Sequence, residues 1–334
     1  MARYSVVLLP GDGIGPEIVE ATQIVLAAAG VEIDWKPFDV GVAALERTGS
    51  PLPDEVVEEI RRCGVALKGP IATPIGGGFA SVNVALRQRL NLYANLRPVR
   101  SLPGVPARYS GVDLVIIREN TEDLYAGIEH WLDDDTAIAV KRITRTASRQ
   151  IARFAFDYAS RHRRRQVTAV HKANILKMSD GLFLQCAREI ASQYPQVRYV
   201  ERLVDALCLD LVLDPERHDV LLCPNLYGDI VSDLAAGLVG GLGLTPAANI
   251  GDEVAVFEAV HGSAPDIAGK GIANPTALIL ASAMMLAHLG DDEAAARVER
   301  AVVETYRRGR ALPPDVGGTA TTREFTQAVV ACIA

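Results

Sequence analysis

The chain has 334 residues, of which 49% are apolar, 22% charged and 5% aromatic, and its net charge is −7. That length holds about two domains with a sizeable core. Scattered Gly and Pro exclude collagen and low-complexity disorder, and the acidic balance argues against a dedicated nucleic-acid binder. The charge is uneven: the 53 residues from Ile60 to Val112 contain no Asp or Glu and sum to +8, so the remainder sums to −15. Such an island reads either as a site for an anionic small molecule or as chance clustering on a solvated face.

Strand and helix patterns alternate along the chain. Tyr4–Leu9 predicts a strand, Pro16–Ala29 a helix, Glu32–Phe38 a strand, Asp54–Cys63 a helix and Val65–Lys68 a strand. Asp113–Ile117 predicts a strand, and Trp131–Arg145 a hairpin arm, being β-branched without helical period. Ala147–Arg161 predicts a helix, Val167–His171 a strand, Ser179–Ser192 a helix, and Val197–Val204 and Val220–Cys223 strands. Leu234–Gly251, with five glycines and Pro246, reads as loops and tight packing. Helices follow at Pro275–His288, Asp291–Arg308 and Thr322–Ile333. Alternation of this kind argues an α/β protein with a largely parallel sheet. Without a flexible linker, two domains imply that the chain crosses between them more than once. The apolar helix at Pro275–His288 is short for a bilayer, so no membrane span is expected. Five cysteines without a CxxC point to a reducing compartment, and the short apolar run at the N-terminus is no signal peptide; a cytoplasmic location is the expectation.

Five motifs carry the chemistry. Gly11-Asp12-Gly13-Ile14-Gly15 fails the GxGxxG spacing of a dinucleotide fold and leaves a tight turn into a helix with Pro16 at its start. Thr73-Pro74-Ile75-Gly76-Gly77-Gly78 precedes Ser81, Asn83 and Arg87: glycines let backbone approach an anion, and the three side chains add a hydroxyl, an amide and a guanidinium. Arg97 and Arg118 each end a predicted strand, and several guanidiniums match a polycarboxylate. Asp229 and Asp233 are four apart and share a helix face. They are either ligands for Mg²⁺ or Mn²⁺, with Asp205 as a third, or first-turn acids held by the helix dipole. Lys172, in His171-Lys172-Ala173-Asn174, ends a strand as either a proton carrier or a solvated lysine. The polar, glycine-rich run Glu258–Pro275 is too long for a simple connection and reads as functional. The basic run Arg161–Arg165 reads as a solvated turn.

Together these motifs resemble the isocitrate/isopropylmalate dehydrogenase family, most specifically in Asn225-Leu226-Tyr227-Gly228-Asp229-Ile230-Val231-Ser232-Asp233 and the His261–Pro275 loop. The resemblance runs to Gly317-Gly318-Thr319-Ala320-Thr321-Thr322. It implies a two-domain α/β fold of mixed parallel sheets with flanking helices, not a Rossmann fold. The expected large cofactor-binding domain is 1–99 with 253–334, and the small domain 100–252 bears the arm, the dimer interface and the metal aspartates. It also implies a homodimer with shared active sites, in which Asp205 and Lys172 come from the neighbour. Ser81 and Asn83, with Arg118-Glu119-Asn120-Thr121-Glu122-Asp123-Leu124-Tyr125, resemble the isocitrate pattern. The implied reaction is oxidative decarboxylation of isocitrate by NAD with Mg²⁺ or Mn²⁺. Homoisocitrate, isopropylmalate, tartrate and a regulatory subunit are the alternatives. The implied roles are Tyr125 and Lys172 catalytic, Ser81, Asn83, Arg87, Arg97 and Arg118 on the substrate, and Asp205, Asp229 and Asp233 on the metal. Thr73, Asn174, Glu258, His261, Gly262, Ala264, Asp266, Ile267 and Asn274 would hold the cofactor. Asp266 with Ile267 favours NAD, since a carboxylate accepts from a ribose hydroxyl and repels a 2′-phosphate.

Overall fold

A computed structural model describes residues 3–74 and 81–333; the triplet Gly76-Gly77-Gly78 lies outside them. The strands are β1 (Arg3–Leu9), β2 (Glu32–Pro37), β3 (Val65–Lys68), β4 (Ala94–Arg100), β5 (Asp113–Glu119), β6 (Glu129–Asp133), β7 (Thr136–Ala139), β8 (Gln166–His171), β9 (Arg198–Leu203), β10 (Val220–Cys223), β11 (Pro246–Ile250) and β12 (Ala255–Ala259). The α-helices are α1 (Gly15–Ala28), α2 (Val42–Thr48), α3 (Asp54–Cys63), α4 (Val82–Arg89), α5 (Arg145–Arg161), α6 (Ser179–Ala191), α7 (Val204–Leu213), α8 (Asn225–Leu238), α9 (Thr276–His288), α10 (Asp292–Arg308) and α11 (Thr322–Val330). Contacts divide the chain into two compact units: 1–92, 101–110 and 236–334 form the first, and 93–100 with 111–235 the second. Segments 101–110 and 236–252, expected in the small domain, thus pack with the first unit.

In the first unit the strand order is β2-β1-β3-β12-β11. All neighbours are parallel except the antiparallel pair β11–β12. Its central strands are apolar runs because both faces are covered. Val7, Leu9, Ala66 and Val256 pack with Val56, Val57 and Ile60 of α3 and Val82 and Leu86 of α4. Helix α9, nearly all buried, packs on β11 and β12 beside α1 and α10. It is a core helix, and no helix among the described residues is long and apolar enough to cross a membrane. Its first turn is capped from Asn274, whose Oδ1 accepts the Thr276 N–H at 3.0 Å.

The glycine loop before α1 is a packing joint. Gly11 and Gly13 have positive φ, and a Cβ would fall 2.1 Å from the Pro70 carbonyl oxygen at Gly11 and 2.0 Å from that of Ser263 at Gly13. Asp12 fastens the joint by accepting the Ala72 N–H at 2.8 Å and the Val42 N–H at 3.3 Å.

The second unit repeats the layout with strand order β4-β5-β10-β8-β9, where only β4–β5 is antiparallel. Helices α5 and α6 pack on β8 and on each other, and α7 packs on β8 and β9. The expected arm is the antiparallel hairpin β6–β7. It is almost wholly exposed, Trp131 at 71% and Leu132 at 60%. The expectation of loops over Leu234–Gly251 is corrected: the segment holds the end of α8 and strand β11, whose Pro246, Ala247, Ala248 and Asn249 are buried.

Candidate active site

The first unit gathers a buried charge cluster at the carboxyl ends of β3 and β12. Glu258, at the end of β12, sits 2.7 Å from Lys68 Nζ and 3.6 Å from the Arg87 guanidinium, and accepts from Asn249 Nδ2 at 2.6 Å. Burial alone would raise its carboxyl, but the charges of Lys68 and Arg87 and the hydrogen bonds from Lys68 and Asn249 hold it down at about 2. So the structure joins Arg87, expected on the substrate, to Glu258, expected on the cofactor. Lys68 was not singled out as a site residue; the signal was a lysine closing an otherwise apolar strand.

Ser81 caps α4, accepting the Val84 N–H at 3.5 Å, and takes a hydrogen bond from Thr73 at 3.2 Å. Asn83, one turn before Arg87, keeps a buried Oδ1 with no hydrogen-bond partner. These polar groups stand together at one helix end.

The Glu258–Pro275 loop leaves a cavity of about 590 Å³ lined by Ile14, His261, Gly262, Ala264, Ile267, Asn274 and Asp315. His261 binds the Gly262 carbonyl through Nδ1 at 3.0 Å, while its Nε2 is buried and unpartnered. Burial lowers the His261 pKa, so its ring is neutral at neutral pH. A neutral ring with one open nitrogen, in an apolar cleft of this size, fits a nucleoside of a cofactor. Asn274 donates to Asp315 at 3.1 Å and to Tyr306 at 3.2 Å. Asp315 lines this cavity but lies outside every sequence motif. Asp266 is exposed and does not line it, and Asn174 is an exposed residue of the second unit.

The second unit carries the other cluster. Arg118, 1% exposed at the end of β5, donates to Asn225 Oδ1 from Nε at 3.0 Å and Nη2 at 2.7 Å, and pairs through Nη1 with Asp229. Arg97 lies mid-strand in β4, not at a strand end as expected. It binds Asn95 and Ser232 at 2.6 Å each and faces Asp229 at 3.4 Å and Asp233 at 3.6 Å. Tyr125 donates its hydroxyl to Asp229 Oδ2 at 2.5 Å, and the Arg118 guanidinium lies 4.9 Å over its ring. Burial and the Asp229 contact raise the Tyr125 pKa, so it keeps its proton. Gly228 makes room for this: a Cβ there would lie 2.7 Å from the Arg118 side chain.

Asp229 and Asp233 share one face of α8. Burial and the neighbouring Asp229 push the Asp233 carboxyl up against the pull of Arg97. Like charges so crowded fit a cation between them, and all-oxygen donors suit Mg²⁺ or Mn²⁺. Asp205 instead meets Lys172 Nζ at 2.6 Å, which lowers its carboxyl. Among the described residues no three His, Cys, Asp or Glu side chains gather to hold an ion.

The acids between Arg118 and Tyr125 hold the backbone. Glu119 accepts the N–H groups of Thr121 at 2.7 Å and Glu122 at 3.0 Å. Asp123, at φ +70°, accepts those of Leu124 at 2.9 Å and Leu226 at 3.0 Å. Fully buried Asp180 accepts the Lys172 N–H and the Lys141 ammonium, each at 2.6 Å. Its sequence signal, an acid in a helix first turn, is too common to single out.

The family model for isocitrate/isopropylmalate dehydrogenase matches residues 5–329. A catalytic subunit of NAD isocitrate dehydrogenase from Arabidopsis thaliana is 54% identical over 96% of this chain and 86% of its own length. A chloroplastic 3-isopropylmalate dehydrogenase from Solanum tuberosum is 53% identical over 91% of this chain and 85% of its own. The crystal structure of isocitrate dehydrogenase from Methylococcus capsulatus superposes with a TM-score of 0.97 at 53% identity, covering 99% of both chains.

Proposed function

The chain belongs to the isocitrate/isopropylmalate dehydrogenase family, and we propose that it is the NAD-dependent, decarboxylating isocitrate dehydrogenase of that family. One observation carries the choice of substrate: the amino end of α4 presents the Ser81 hydroxyl and the Asn83 side-chain amide, whose O–H and N–H groups can donate to a carboxylate. A hydroxyl and an amide satisfy a third carboxylate, whereas an isopropyl group would leave them unpaired.

Arg87, Arg97 and Arg118 hold the substrate carboxylates. Asp229 and Asp233, with Asp205 of a second copy, hold a divalent cation. A cation bound there would supply positive charge to acidify the substrate hydroxyl, and a bound NAD would supply the hydride acceptor. Lys172 of the second copy takes the hydroxyl proton. Tyr125, held protonated against Asp229, returns a proton to the carbon that has lost CO₂. His261, Gly262, Ala264, Ile267 and Asn274 hold the adenosine, with Thr73, Asn174 and Glu258 completing the cofactor contacts. Asp266 disfavours a 2′-phosphate.

The homodimer reading has its own support. Hairpin β6–β7 exposes Trp131 and Leu132, and α7 and α8 expose Leu209, Leu213 and Ile230. Apolar side chains in such number are characteristic of a face that meets a partner. Five free cysteines fit a reducing compartment. The test is a panel of isocitrate, homoisocitrate, isopropylmalate and tartrate with NAD and Mn²⁺. Isocitrate is expected to lead by at least about 100-fold in kcat/KM, the scale of one unpaired polar group. A lead by isopropylmalate overturns the reading.

A further inference from the structure

The basic run Arg161–Arg165 is the exposed turn expected between α5 and β8, and it also borders a cavity. Arg163, Arg164 and Arg165 wall a cavity of about 670 Å³ that lies wholly within the second unit. It sits at the amino ends of the parallel strands: Asp113 starts β5, Gln166 starts β8, Arg198 starts β9, and Asp219 precedes β10. Arg118 and Lys172, at the carboxyl ends of β5 and β8, stand at the opposite edge. Five residues of β5 separate Asp113 from Arg118, about 16 Å at strand rise. The cavity is therefore separate from the candidate active site.

Its charge is unbalanced. Six arginines line it against three acids, Asp113, Glu216 and Asp219. Arg164 takes most of the neutralisation, at 2.6 Å from Asp113 and 3.1 Å from Asp219, and Arg100 shares Asp113 at 3.2 Å. Asp219 is further occupied by the Arg165 and Gln166 N–H groups at 2.6 and 3.1 Å. Arg217 reaches outward to Asp210 at 3.9 Å. The Arg163, Arg165 and Arg198 guanidiniums meet no acid among the described residues. The wall also contains His218, only 6% exposed, with neither ring nitrogen hydrogen-bonded. Burial lowers the His218 pKa, so the ring is neutral and has one N–H to donate. A buried imidazole left unpaired costs free energy that a ligand oxygen would recover.

We propose that this cavity is a second anion site, built for a small phosphate-bearing molecule with at least two negative charges. Guanidiniums bind phosphate oxygens in pairs, three of them are uncommitted here, and His218 adds a neutral donor from the wall. The volume exceeds that of inorganic phosphate severalfold, so the site takes a diphosphate or a larger phosphorylated compound.

The probe is inorganic diphosphate, titrated calorimetrically into the whole enzyme without divalent metal. Wild type is expected to bind it saturably. Arg163→Ala with Arg165→Ala, both exposed, is expected to weaken binding at least tenfold and to leave isocitrate turnover unchanged. Arg118→Gln, which disables the catalytic guanidinium, is expected to keep the binding. In ¹⁵N spectra the His218 imidazole signal is expected to move on addition of diphosphate. Absence of saturable binding, binding unchanged in the double variant, or binding lost in Arg118→Gln overturns the proposal. Propane-1,2,3-tricarboxylate titrated into Arg118→Gln separates phosphate from carboxylate sources. Tighter binding of the tricarboxylate than of diphosphate overturns the assignment to phosphate.

Discussion

Glu258→Gln tests whether the buried cluster around Lys68 is held by charge. In the folded protein the Glu258 carboxyl lies near 2 against an ordinary 4.5. At about 1.4 kcal/mol per unit, that difference corresponds to roughly 3 kcal/mol favouring the folded state. Removing the charge leaves Lys68, 3% exposed, without its carboxylate, beside a neutral amide oxygen and the Gly69 carbonyl at 2.9 Å. Breaking one half of a buried pair costs about 3–5 kcal/mol, in agreement. The sign with pH follows from the depressed value. The stabilisation is complete above about 4.5 and is lost as pH falls towards 2. The gap between wild type and variant should therefore be flat at neutral pH and narrow in acid. Urea unfolding at a series of pH values measures it as a shift in midpoint at constant slope. Adding Lys68→Met should recover part of the loss, because only Arg87 then lacks its carboxylate. A single-variant loss below about 1 kcal/mol, or a double variant no better than the single, would refute the reasoning.

Four further outcomes are expected. Gly228→Ala should displace Arg118 and raise KM for isocitrate by about 10–100-fold, the worth of a charged hydrogen-bond pair; steady-state kinetics reads it. Tyr125→Phe should lower kcat by about 100-fold or more with little change in KM, as loss of a proton donor does; stopped-flow separation of hydride transfer from decarboxylation places the lost step. Asp266→Lys with Ile267→Tyr should shift the ratio of kcat/KM towards NADP by at least about tenfold; an unmoved ratio refutes the cofactor reading. Lys172→Met and Asp229→Asn should each be inactive, yet refolding them together should restore about a quarter of the activity if sites are shared between two copies; no recovery on mixing argues for sites within one chain.

The fold was legible where burial leaves a strong trace. Strands β1, β3 and β10 are apolar runs covered on both faces, and α5 and α10 keep their helical stripes. Strands β11 and β12 were not legible, because Pro246-Ala247-Ala248-Asn249-Ile250 and Ala255-Val256-Phe257-Glu258-Ala259 are alanine-rich, and their small side chains fit close packing rather than high strand propensity. Helix α8 was legible only around Asp229 and Asp233, whose spacing sets them on one helix face; Gly228 and Gly237 hid its full length. Gly228 would weaken a helix, but here it makes room for Arg118. In the site, the residues proposed to touch ligands carry their signal in motifs. Lys68, Asp180 and Asp315, which meet them, do not, since each is ordinary in sequence and distinctive only in what surrounds it; Asn225 opens a motif, but its hold on Arg118 is not readable from it. Arg161–Arg165 is the exposed turn its sequence suggests, but the cavity beside it was not legible, because Asp113, Arg198 and His218 reach it from distant parts of the chain.

The two clusters share a property with a consequence for binding. Arg87 rests against Glu258, Arg97 and Arg118 against Asp229, and Lys172 against Asp205. Every cation that would meet the substrate already holds a carboxylate of the protein itself. These two clusters therefore present no bare positive hollow, and folding escapes the repulsion that such a hollow would impose there. Binding becomes an exchange of counter-ions, in which incoming carboxylates displace resident ones and the freed aspartates turn to the metal. An enzyme built this way should show a weaker dependence of substrate affinity on salt than its count of guanidiniums implies, and should hold its acid substrate firmly only when the metal is there to receive what the substrate displaces.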